Sequence, residues 1–124
     1  MPRKQKDWPP CAVDENGLNV AIKAHVLADD SMRDAGFRLV DRNWYYMKTL
    51  ERDLSFNVTI DADTEAVRID VIDELFCQPY DYQTILRRNG DHPLANPIYH
   101  AVEHEMARLA KLGIISGHNP GDYI

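Results

Sequence analysis

The sequence predicts an α+β fold: a mainly antiparallel four-stranded sheet, with a short helix after the first strand and a C-terminal helix packed on one face. Three stretches carry that expectation. Residues 54–74, LSFNVTIDADTEAVRIDVIDE, read as two apolar-alternating runs joined by a short acidic turn. Residues 44–50 are rich in aromatic side chains, which favour strand. After Asn96, apolar residues recur at helical spacing until Gly113.

In the central hairpin, Leu54, Phe56, Val58 and Ile60 fall on one side of the first arm, and Ser55, Asn57, Thr59 and Asp61 on the other. That is the pattern of a strand with one face buried. On the return arm Val67, Ile69 and Val71 alternate with Arg68 and Asp70. Between the arms, Asp61, Asp63 and Thr64 carry side chains that bond to their own turn. A one-residue slip would turn Phe56, Val58 and Ile60 to solvent, so the register is well specified.

The other elements follow in chain order. Residues 1–10, MPRKQKDWPP, have charge and a proline pair but no apolar period, which predicts a flexible basic tail with Trp8 as its anchor; residues 11–124 are then a single α+β domain. Residues 18–26 predict a strand with Leu18, Val20, Ile22, Ala24 and Val26 on one face, because a helix would spread them around the cylinder. Asp30 and Ser31 offer helix-capping side chains for a turn or two through Ala35, with Gly36 as the stop. Phe37, Leu39 and Val40 lead into the aromatic strand, where Trp44 and Tyr46 share a face with Leu50, and Tyr45 shares the other with Met47. Pro79 argues against a further central strand, and residues 86–93 read as a surface loop. In the last helix Asn96 is the expected N-cap and Pro97 the first helical residue. Its apolar stripe is Ile98, Val102, Met106, Leu109 and Leu112.

Composition narrows the class. A chain of 124 residues, 44% hydrophobic and 27% charged, is long enough for its own core. No apolar run approaches a membrane span, and none follows the basic N-terminus as a signal peptide requires. Cys11 and Cys77 are too few for a disulfide framework, so a reduced cytoplasmic setting is expected. The net charge is −6, yet three bases against one acid leave the first ten residues at +2. Within residues 53–74, seven acids face one base, Arg68. Such a local −6 repels nucleic acid and attracts basic partners.

Few residues suggest chemistry. His100-Ala101-Val102-Glu103-His104 fits H-x-x-E-H, in which two histidines one turn apart bind zinc and the Glu serves as base. The chain is small for such an enzyme, and on the wheel His100 and His104 lie opposite the apolar stripe, where incidental surface histidines are the commoner outcome. Glu105 falls inside the stripe: either it reaches solvent at the edge, or it is a buried acid paired with Arg38, Arg42 or Arg68, or facing a pocket together with Tyr45. Asp61, Asp63 and Glu65 have the spacing that opens a calcium loop, but Ala66 and Ile72 stand where that loop needs Gly and Glu. They form, with Asp70, Asp73 and Glu74, a candidate acidic binding surface. Trp44, Tyr45, Tyr46 and Phe56 could stack bases only where the sheet exposes them.

No run of residues fixes a reaction or a ligand. The sequence is best read as a small protein-interaction module, adaptor or inhibitor in type, whose acidic hairpin meets a basic partner, with no cofactor. Two alternatives are a metal-dependent enzyme using His100, His104 and a carboxylate, and a nucleic-acid-binding domain using Trp44, Tyr45, Tyr46 and the basic tail. As an open edge strand, residues 18–26 also offer a homodimer contact.

Overall fold

The computed structural model describes residues 22–118. Its elements are β1 (Lys23–Ala24), α1 (Asp29–Asp34), β2 (Arg38–Val40), β3 (Asn43–Thr49), β4 (Leu54–Asp61), β5 (Val67–Asp73), β6 (Gln78–Pro79), α2 (Tyr82–Asn89), α3 (Ala95–Lys111) and β7 (Ile115–Ser116). The fold is α+β with an antiparallel sheet and helices. Strands β2 to β6 form one sheet in chain order, so each strand pairs with the next, and β1 and β7 form a separate two-stranded sheet. The expected tail with Trp8, Cys11 and the first part of the expected strand at residues 18–26 lie outside the described residues.

The hairpin register is the one the alternation demands. Phe56 faces Val71, Val58 faces Ile69 and Ile60 faces Val67 across β4 and β5. On the other side of β4, Trp44 faces Ile60 and Tyr46 faces Val58. These side chains point to the inner face, where Trp44, Phe56, Val58 and Ile60 are buried. Burial of each large apolar side chain contributes about 1.5–3 kcal/mol. The inner face meets α3, whose Ala95, Ile98, Val102, Met106 and Leu109 are buried, and α2 packs against α3.

Among the described residues the sheet has five strands where four were expected, for two reasons. Asp41 and Arg42 both take positive φ, 49° and 66°, and make a two-residue hairpin loop that separates β2 from β3. Tight loops of this kind usually announce themselves by Asn-Gly or Asp-Gly, and this one does not. The short β6 joins the far edge, and Pro79 is tolerated there. Among the described residues the expected first strand does not join the main sheet: of residues 22–26 only Lys23–Ala24 form a strand, and it is paired with Ile115–Ser116. Among the described residues, β2 and β6 are the outer strands of this sheet.

Helix boundaries also differ from the sequence reading. Helix α2 occupies the first half of the expected loop at residues 86–93. Its Asp81 carboxylate accepts from the Thr84 amide, 3.0 Å, and it buries only Tyr82 and Leu86. Helix α1 is not capped by Asp30 or Ser31; its N-cap is Ala28, and Asp29 and Asp30 sit in the first turn, where the helix dipole favours them. Helix α3 begins before Asn96: His92 Nδ1 accepts from the Leu94 and Ala95 amides, 3.1 Å each, so the imidazole takes the capping place. Leu112, expected in the stripe, is 45% exposed, and Ile114 is buried beyond it.

Both α1 and α3 end through a glycine in the left-handed region. The Gly36 and Phe37 amides donate back to Arg33 and Met32, and the Gly113 and Ile114 amides to Ala110 and Leu109, all at 3.0 Å. The two glycines differ in their surroundings. An added Cβ at Gly36, φ +105°, lies 2.9 Å from Tyr46 Cε1, whereas one at Gly113, φ +84°, meets nothing within 4 Å. Gly113→Ala is therefore expected to cost only the conformational strain, about 1–2 kcal/mol. Gly36→Ala should cost about 1–3 kcal/mol more, because the Tyr46 ring must move. Urea unfolding checks this; equal midpoints for the two variants would show that the ring yields freely.

Candidate functional site

A buried polar cluster links α3, β3 and the end of α1. Glu105 is 3% exposed, and Tyr46 Oη donates to its Oε1 at 2.6 Å. Arg108, three residues along the helix, donates from Nε to the same oxygen at 3.3 Å and from Nη2 to the Ala35 carbonyl at 3.2 Å. Its guanidinium carbon lies 5.1 Å from the Tyr46 ring centroid, a cation–π contact. The Tyr46 ring is held by Phe37 at 5.3 Å and by Phe56 at 6.2 Å, edge-on. Burial pushes the Tyr46 phenol above its ordinary value, and its hydrogen bond to Glu105 adds to the rise.

This arrangement replaces what the sequence suggested for Glu105. The acid does not reach solvent, and its partners are neither Arg38, Arg42 nor Arg68. Those guanidiniums go to the Phe37 carbonyl, to Asp63 and to Asp70 respectively. Tyr45 does not join Glu105 either; it is 42% exposed on the outer face, and the neighbouring Tyr46 takes the role.

Beside the cluster lies a cleft of about 430 Å³, lined by Leu27, Ser31, Asp34, Ala35, Arg108 and Leu112. Helix α1 supplies one wall and the last turns of α3 the other. Arg108 is the hinge between cluster and cleft: its side chain is 32% exposed, while Glu105 behind it is sealed. Nothing in the sequence joins Asp34 to Arg108. The only available signal was Glu105-x-x-Arg108, an i,i+3 pair on a helix.

The six hairpin acids are dispersed along the sheet and fastened locally. At one end of β4 and β5, Asp61 accepts from the amides of Asp63 and Thr64, 2.8 and 2.9 Å. Those backbone bonds hold its carboxyl below the usual range, and the Arg42 guanidinium does the same for Asp63. Glu65 accepts from the Val26 amide at 2.7 Å. Asp70 lies on the outer face, paired with Arg68. At the opposite end, about 25 Å away along the strands, Asp73 accepts from the amides of Leu75 and Phe76, 3.0 and 3.2 Å, and Glu74 accepts from Ser55.

That opposite end carries a feature the sequence reading missed. Leu75 and Phe76 are each 67% exposed in the turn between β5 and β6. The neighbouring β3–β4 turn, with Glu51, Arg52 and Asp53, is tied to it by the Glu74 amide donating to the Asp53 carbonyl, 2.8 Å. Two bulky apolar residues directly after Asp73-Glu74, with Pro79 close behind, were the available signal.

The remaining candidates lie apart from one another. His100 and His104 are exposed, and among the described residues no three His, Cys, Asp or Glu side chains gather as a metal site. Glu103 of the same motif contacts His118 Nε2 at 2.9 Å. Of the aromatic residues proposed for base stacking, Trp44 and Phe56 are buried and Tyr46 belongs to the cluster, which leaves Tyr45 on the exposed face. Among the described residues no helix is long and apolar enough to cross a membrane.

No family model matches the sequence, and no curated protein matches it. Among solved structures the chain is similar to a DUF1831 family protein from Lactobacillus plantarum. The two share 14% identity with a TM-score of 0.58, over 76% of this chain and 82% of that one. At that identity the likeness shows the fold alone.

The Tyr46 phenol has a pH consequence. Its folded value is raised, so the stability it contributes is complete below the unfolded value of about 10 and is lost as pH rises through the folded value. Tyr46→Phe should cost about 1–3 kcal/mol at neutral pH, because Glu105 loses its closest donor. It should also flatten the alkaline fall in stability, leaving the smaller contribution of Tyr80, whose phenol burial likewise raises. Melting temperature against pH for both proteins checks this; parallel curves would contradict it.

Proposed function

We propose that this protein is a small interaction module, adaptor or inhibitor in type and cytoplasmic, that binds a basic protein surface through its acidic hairpin. The working part of the hairpin is the end that carries Asp73, Glu74, Leu75 and Phe76. One observation carries the reading: two large apolar side chains stand 67% exposed at the tip of a turn framed by acids.

A free protein gains nothing by exposing Phe76 in this way, whereas a partner that buries it gains about 1.5–3 kcal/mol. The turn is preorganised, since the Asp73 carboxylate fixes the two amides that carry these side chains. Preorganisation spares the complex part of the ordering cost. Around the tip, Glu51, Asp53, Asp73 and Glu74 outnumber Arg52, which steers a basic surface toward it. An apolar anchor within a charged rim is the usual anatomy of a binding hot spot. The acids at the other end, Asp61, Asp63 and Glu65, serve a second role as turn and segment anchors.

Pull-down at low salt with the wild type, with Leu75→Ser/Phe76→Ser and with Asp73→Asn/Glu74→Gln tests the reading. Asn retains the turn-capping carbonyl of Asp73, so the acidic variant keeps its fold. A specific partner should be lost with the apolar pair, weaken about tenfold or more, ~1.4 kcal/mol, with the acidic pair, and release as salt rises. A partner set unchanged by both variants would overturn the proposal.

A further inference from the structure

The cleft between α1 and α3 holds two opposite charges that are not paired with each other. Asp34 is the last residue of α1, where the negative pole of the helix disfavours a carboxylate. Among the described residues it makes no ion pair, although Arg108 lines the same cleft. Arg108 is in turn committed on one side only. Its Nε serves Glu105, and one hydrogen of Nη2 serves the Ala35 carbonyl. The guanidinium also interacts with the Tyr46 hydroxyl, which stands on the same side as Glu105. A guanidinium carries five donors, so at least two remain for a ligand. The cluster behind it locks the fork in place: the carboxylate, the carbonyl and the Tyr46 ring each fix one aspect of its plane.

Between these charges the walls are aliphatic, from Leu27, Ala35 and Leu112, with the Ser31 hydroxyl alongside. The volume of about 430 Å³ lies in the range of small-molecule sites. A lone carboxylate would meet Arg108 but face Asp34, and a lone amine would meet the reverse conflict. A molecule bearing both charges satisfies both walls, and a short methylene stem suits the aliphatic surface between them.

We propose that the α1–α3 cleft binds a small zwitterion, its carboxylate on the Arg108 fork, its ammonium on Asp34 and its apolar stem against Leu27 and Leu112. The site is independent of the hairpin tip, so a partner on one surface neither requires nor excludes a ligand in the other.

Titration of the full chain, followed by calorimetry and by amide chemical shifts, tests this. The probes are glycine, β-alanine and ε-aminocaproate as zwitterions of increasing length, against caproate and hexylamine as single-charge controls. At least one zwitterion should bind saturably and at least about tenfold more tightly than either control. Asp34→Asn should remove that preference, and Leu112→Trp, at the exposed lip, should block binding by filling the cleft. Both side chains are exposed, so unchanged unfolding midpoints establish that the fold survives. Arg108→Met serves as a third variant, judged only where its melting shows a folded protein. Binding of caproate as tight as the best zwitterion, retention of the preference in Asp34→Asn, or no saturable binding of any probe up to about 50 mM would overturn the assignment.

Discussion

Glu105 sits in the apolar stripe of α3 with 3% of its surface exposed, and a carboxylate there must find donors or neutralise. Its donors come from the neighbouring sheet strand, through Tyr46, and from its own helix, through Arg108. Arg108 then reaches the Ala35 carbonyl at the end of α1. One buried charge therefore ties three elements together, and it constrains residues that never touch it. Gly36 must lack a side chain because the Tyr46 ring stands 2.9 Å from where its Cβ would be. Phe37 and Phe56 must hold that ring against rotation. A buried polar network of this kind is costly when half satisfied, and this one shares its acceptor oxygen between two donors.

How much of this was legible depends on the range of each signal. The β4–β5 hairpin and α3 could be read because period-two and period-3.6 patterns each run over many residues and are forced by one buried face. The acidic turn was likewise local, since Asp61 bonds to amides two and three residues away. Strand β2 escaped notice because Asp41 and Arg42 adopt the left-handed region without glycine or asparagine to mark it. Helix α2 escaped because eight residues with Tyr82 and Leu86 as its buried pair give too short a stripe. Glu105 was recognised as anomalous, but its partner Tyr46 lies 59 positions away, and no local pattern reports such a contact. Alternation had already put Tyr46 on the same face as Trp44, so the missing steps were which face is inner and the depth of α3 against it.

The acids show why a run of charge in sequence differs from a charged patch in space. A strand of eight residues carries its two ends about 25 Å apart, beyond the screening length of about 8 Å at physiological salt. Asp61, Asp63 and Glu65 therefore act as one group and Asp73 with Glu74 as another. Each group also has local duties: Asp61, Asp73 and Asp81 all accept from amides two or three residues ahead. Those bonds leave the charge in place while fixing the turn that bears it. Where the turn also lifts Leu75 and Phe76 into solvent, the result is an apolar anchor in an acidic frame; where it does not, the same chemistry is only a well-made turn.

The two proposed surfaces follow opposite electrostatic rules. A net charge of −6 attracts a basic protein over distances comparable with the screening length, and that attraction weakens as salt rises. The same field repels a simple anion from the cleft, whatever Arg108 offers at close range. A zwitterion carries no net charge, so the long-range field neither draws nor rejects it. Its recognition rests on two contacts a few ångströms long inside a recess, where salt screens less than at an open surface. The acidity that suits the hairpin tip to a basic partner thus leaves the cleft selective for a dipolar guest, and binding at the two sites should separate cleanly by its dependence on ionic strength.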